Sequence, residues 1–90
     1  MNKNLHVIFR GRVQGVGFRY TAEALARDGN IKGWVRNLGS GEVEISAEAE
    51  ERDLKTYLER LEDRFSGYIS DTAADWQPAT DAFKTFEIRF

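Results

Sequence analysis

Arg19 is the residue whose neighbours point most directly to chemistry. It closes the run Gly11-Arg12-Val13-Gln14-Gly15-Val16-Gly17-Phe18-Arg19, with glycines at 11, 15 and 17. Glycines this close together let backbone N–H groups converge on one point with no side chain in the way. A concave nest of such donors, just ahead of a helix start, suits a phosphate-like anion. A guanidinium in the first helical turn adds a planar charged fork that can grip two anionic oxygens at once. The candidate binding set is therefore Arg19 with Val13, Gln14, Gly15, Val16, Gly17 and Phe18. The run lacks the Gly-Lys-Ser/Thr ending of a nucleotide P-loop, so a magnesium nucleotide is not indicated. Asn37 is the second candidate. Its carboxamide both donates and accepts, so it either bonds to nearby backbone or orients a water molecule without becoming charged.

The elements that must position these residues follow from periodicity. Leu5 to Phe9 is a short β-rich run ending at Gly11. From Phe18 the pattern is helical: Phe18, Ala22, Leu25 and Ala26 share one face, and Glu23 and Arg27 form an i,i+4 pair. Gly29-Asn30 stops that helix, since both residues tolerate the left-handed conformation of a cap. Residues 31–38 alternate, with Ile31, Gly33, Val35 and Asn37 on one side. Gly39-Ser40-Gly41 turns the chain, and residues 42–49 alternate again, which reads as a β-hairpin. Leu54, Tyr57, Leu58, Leu61 and Phe65 form the stripe of a second helix, ended by Gly67. Residues 68–76 hold a strand either at Tyr68-Ile69 or nearer Ala73 to Trp76, and residues 86–90 alternate as a closing strand. Two amphipathic helices need one sheet face to cover. The predicted fold is α+β, a ferredoxin-like β-α-β-β-α-β sandwich with room for a fifth strand, both helices lying on one face of an antiparallel sheet.

The Gly11-to-Arg19 stretch, followed by Gly33-Trp34-Val35-Arg36-Asn37, resembles the two signature stretches of the acylphosphatases. The likeness continues through Gly41-Glu42-Val43-Glu44 and returns faintly at Trp76 and Phe86-Glu87-Ile88. Two motifs in order, at the family's separation, are far more specific than a lone glycine-rich loop. The resemblance implies the ferredoxin-like fold and an enzyme, an acylphosphate phosphohydrolase that releases a carboxylate and inorganic phosphate. It further implies that Arg19 and the loop N–H groups bind the phosphoryl group and that Asn37 positions the attacking water.

Composition bounds the alternatives. Ninety residues suffice for one domain, taken as 1–90, and a chain without cysteine has no disulfide and no thiolate metal site. With a single histidine as well, neither metal nor cofactor is expected. No apolar run approaches the ~20 residues of a membrane span, and the start lacks a signal peptide's apolar stretch, so the expectation is a cytoplasmic protein without a membrane partner. Residues 1–40 carry a balance of +5 and residues 41–90 one of −7, which places the anion-attracting field in the first half. An acidic second half argues against a nucleic-acid partner. The expected partner is a small acyl phosphate, or phosphate itself, bound to a monomer. A non-catalytic anion-binding module and, more remotely, a ferredoxin-like RNA-binding domain stand beside this reading. Arg12 and Arg36 read as surface charges, and His6 as a strand residue without a catalytic role.

Overall fold

The alternation at Leu5, Val7 and Phe9 extends further than the β-rich run itself. In a computed structural model describing all residues, Met1–Phe90, strand β1 spans Asn2–Gly11. It is long because both edges are paired, with β3 (Val43–Glu50) on one side and β4 (Ile69–Pro78) on the other. Helix α1 (Phe18–Asp28), strand β2 (Lys32–Asn37), helix α2 (Glu51–Arg64) and strand β5 (Phe86–Arg89) complete the chain. The sheet order is β4-β1-β3-β2-β5. Because β1 and β2 both run antiparallel to β3, they run parallel to each other, and their C-terminal ends meet at one edge of the sandwich. Phe9, Val43 and Asn37 stand in one row across that edge.

The helices cover one face. Leu5, Val7, Phe9, Val35, Val43, Ile45 and Ala47 point into the same core as Ala22, Ala26, Leu54, Tyr57 and Leu61. Each large apolar side chain removed from water there contributes about 1.5–3 kcal/mol. The Tyr57 hydroxyl, buried deeply enough to raise its pKa, donates to the Ala22 carbonyl at 2.9 Å and ties α2 to α1. Glu51 and Asp53 in the first turn of α2 and Arg64 in its last complement the helix dipole. As expected, Asn30 takes the left-handed conformation (φ 56°) after α1.

Two expectations are corrected. The sheet is mixed rather than antiparallel: β5 pairs parallel to β2, Gly33 opposite Phe86 and Val35 opposite Ile88. The cause is the segment after β4, which starts at one edge of the sheet and must reach the other. Glu48, on the central strand β3, anchors it midway, accepting from the Thr80 and Asp81 backbone N–H groups at 2.8 and 3.0 Å. The alternative short strands of residues 68–76 are replaced by one ten-residue edge strand, Ile69–Pro78. No helix is long and apolar enough to cross a membrane.

Candidate active site

Between β1 and α1 the chain runs through Arg12 to Gly17 without regular structure. Gly15 and Gly17 have φ of 78° and 79°, the left-handed region, and a Cβ on either would meet nothing within 4 Å. Their glycine character is thus a demand of backbone direction rather than of space. Gly17 caps α1 without a side-chain hydrogen bond, and no acidic residue sits in the helix's first turn. The first N–H groups of α1 therefore face the same space as the loop, with the positive end of the helix dipole behind them.

Packing fixes this junction from below. Phe18 is fully buried between Phe9 and Phe65, at ring-centroid distances of 5.0 and 4.4 Å. One residue later Arg19 leaves the core, half-buried, with the Phe90 ring 4.9 Å from its guanidinium carbon. Asn37, at the end of β2 on the helix-covered side, comes from the other direction. Val13, Gly15, Gly17, Phe18, Arg19, Tyr20 and Asn37 together line a recess of about 140 Å³. None of the chain's hydrogen bonds or ion pairs uses the Arg19 guanidinium or the Asn37 carboxamide. No carboxylate, imidazole or thiol lines the recess, so its field is set by one guanidinium and backbone donors. Such a set can hold a tetrahedral anion and leave an amide free beside it.

Of the residues singled out by type and spacing, Val13, Gly15, Gly17, Phe18, Arg19 and Asn37 converge on this recess. Val16 does not line it; its side chain packs against the core. The Gln14 side chain also turns elsewhere, donating to the Leu38 and Glu42 carbonyls at 2.7 and 2.9 Å. Arg36 pairs with Glu44 at 2.6 Å, and Arg12 is exposed. His6 donates to Glu44 on the uncovered sheet face, away from the recess. Two neighbours were not anticipated. Tyr20, exposed at the mouth, directly follows Arg19 and was not among the candidate site residues. Phe90 shares its strand face with Phe86 and Ile88, but only the β2–β5 pairing brings that face to Arg19.

A family profile described as Acylphosphatase matches residues 5–88. An acylphosphatase of Bacillus licheniformis is 40% identical over 86 residues, covering 93% of this chain and 94% of its own. One from Synechococcus is 38% identical over 85 residues, covering 94% and 90%. The crystal structure of acylphosphatase from Bacillus subtilis superposes with a TM-score of 0.89 at 30% identity, covering 98% of this chain and 99% of that one. Profile, relatives and fold agree along nearly the whole length, and the chain belongs to the acylphosphatase family.

Proposed function

We propose that the recess between the 13–19 loop and Asn37 is where this acylphosphatase hydrolyses acyl phosphates, with Arg19 and the loop N–H groups holding the phosphoryl oxygens and Asn37 aiming the water. The hydrolytic activity comes with the family. The residue roles rest on one observation: an unpaired guanidinium and an unpaired carboxamide line the same small recess as two left-handed glycines and a helix start with no side-chain cap.

The chemistry asks little more of a protein. The water oxygen attacks phosphorus, the bond from phosphorus to the acyl oxygen breaks, and the carboxylate departs as a stable anion. The water's protons pass to phosphate and solvent. A carboxylate leaving group needs no general acid, so positioning and charge stabilisation carry the rate. Arg19 and the N–H groups neutralise charge on the equatorial oxygens, while the Asn37 carbonyl accepts a hydrogen bond from the water and sets its line of approach. Residues 1–90 act in this reading as one domain, monomeric and cytoplasmic, on a soluble acyl phosphate without a metal or cofactor.

The test separates the two roles. In phosphate release from benzoyl phosphate, Asn37→Ala should lower kcat by about 10²–10³, the usual loss for one transition-state contact. Inorganic phosphate should still inhibit it with a near-parental Ki. Near-full turnover in that variant would remove Asn37 from the mechanism.

A further inference from the structure

The hairpin that carries Asn37 and the loop that forms the cradle are separate pieces of chain. Asn37 ends β2, and the turn beyond it is closed by Leu38 N–H to the Glu42 carbonyl at 2.8 Å and Gly41 N–H to the Leu38 carbonyl at 3.1 Å. Those same two carbonyls accept from Nε2 of Gln14, at 2.7 and 2.9 Å. A primary amide nitrogen has two hydrogens, and here both are directed at the turn. A second tie lies alongside, on side chains alone: Arg10 at the end of β1 donates to Glu42 at 2.6 Å. Ser40 Oγ also donates to Glu42 at 2.8 Å, and Ser40 and Arg10 together hold its carboxyl below the ordinary carboxylate range. Only the Gln14 tie reaches the backbone of the residue next to Asn37. Its own backbone lies inside the cradle, between Val13 and Gly15.

We propose that Gln14 is a positioning residue, a clamp that sets the distance between the phosphate cradle and the Asn37 carboxamide. The inference rests on the roles given above to Arg19 and Asn37. In-line attack requires the water-holding group to stay at a fixed separation from the phosphorus. The cradle fixes the phosphorus, the hairpin fixes the amide, and Gln14 joins the two one residue from the amide. Loosening this joint leaves every ligand of the phosphate present and degrades only the aim of the water. A misplacement of about 1 Å is enough to cost up to about 100-fold in rate.

The experiment compares the parent, Gln14→Met, Asn37→Ala and the double variant, each as the whole chain, by kcat on benzoyl phosphate and Ki for inorganic phosphate. Methionine keeps the reach of glutamine and donates nothing. Gln14→Met should lose about 10- to 100-fold in kcat with Ki within about twofold of the parent. In the Asn37→Ala background the same substitution should change kcat by less than about twofold, because no amide remains to be aimed. Losses that multiply in the double variant, or a Ki that rises as far as kcat falls, would overturn the clamp and leave Gln14 a part of the cradle. If Asn37→Ala itself turned over normally, the water-positioning role would be what failed. Gln14→Glu, which sets a carboxylate against two carbonyl oxygens, should be slower still; a kcat equal to the parent's would refute the proposal. Unfolding of both Gln14 variants would refute it as well, since the residue would then hold up the fold.

Discussion

Arg19 reaches the recess through a first helical turn anchored by Phe18 and meets only an aromatic ring on its way. A guanidinium offers five donors in a plane, an ammonium three around a point, and both carry the same charge. Arg19→Lys therefore isolates geometry from charge. We expect it to raise the Ki for inorganic phosphate and lower kcat by at least about tenfold each, since one oxygen of the bidentate pair loses its partner. Measured against the Asn37 variant, which should lower kcat but leave phosphate binding alone, this gives distinguishable signatures for two residues of one recess. Equal phosphate affinity in Arg19→Lys would show that charge alone holds the anion.

Two glycines show how differently elements depend on the same residue type. Gly33 lies inside β2 at φ 141°, where an added Cβ would stand 1.9 Å from the Ser46 carbonyl oxygen of the neighbouring strand. Gly17 has an unfavourable φ of 79° and open space around it. Gly33→Ala must push β2 off β3, at a cost of about 3 kcal/mol or more by denaturant unfolding. Gly17→Ala meets only local backbone strain of about 1–2 kcal/mol, yet it redirects the N–H groups proposed to hold the phosphate. The expected outcome is an unstable Gly33 variant and a folded Gly17 variant with weak phosphate binding. The reverse order would show that the loop is a structural connection and not a cradle.

At the scale of the molecule, the sheet face away from the helices and the segment crossing to β5 are held by two carboxylates, Glu48 buried and Glu44 half-buried. Burial of Glu48, 5% exposed, pushes its carboxyl upward. Hydrogen bonds from the Thr80 N–H, Asn4 Nδ2, the Thr80 hydroxyl and the Asp81 N–H outweigh this and hold it below the ordinary range. Glu44 is likewise opposed by burial and lowered by His6 and Arg36. A carboxyl with a lower pKa in the folded state than in the unfolded one stabilises the fold above the unfolded value, about 4.3. That contribution is lost as pH falls through the folded value. Thermal stability should accordingly be level near neutrality and decline below about pH 5. Glu48→Gln should be less stable at pH 7 by about 1.5–3 kcal/mol, the worth of a hydrogen bond to a charged group, and should show a shallower acid decline. An unchanged slope would mean that the crossing segment is held by its other contacts.

Short-range pattern was enough for much of this molecule. The stripe Leu54-Tyr57-Leu61-Phe65, the alternation through Val35 and Val43, and the glycine run ending at Arg19 each lie within one element. Their periods are those of a helix, a strand and a tight loop. Parity along β2 alone put Asn37 on the covered side of the sheet. Pairing between distant segments is not written in such periods. Residues 69–78 carry two Ala and two Asp and are exposed on nearly every position, so no alternation marks them, and they become a strand because the free edge of β1 offers backbone partners. The parallel direction of β5 depends on where the crossing segment travels, and that segment is bonded to the buried Glu48. The turning of Gln14 toward the hairpin and the contact of Phe90 with Arg19 likewise join segments distant in sequence. Sequence determined which groups could bind an anion and aim a water; the antiparallel pairing of both β1 and β2 with β3 decided that they would meet.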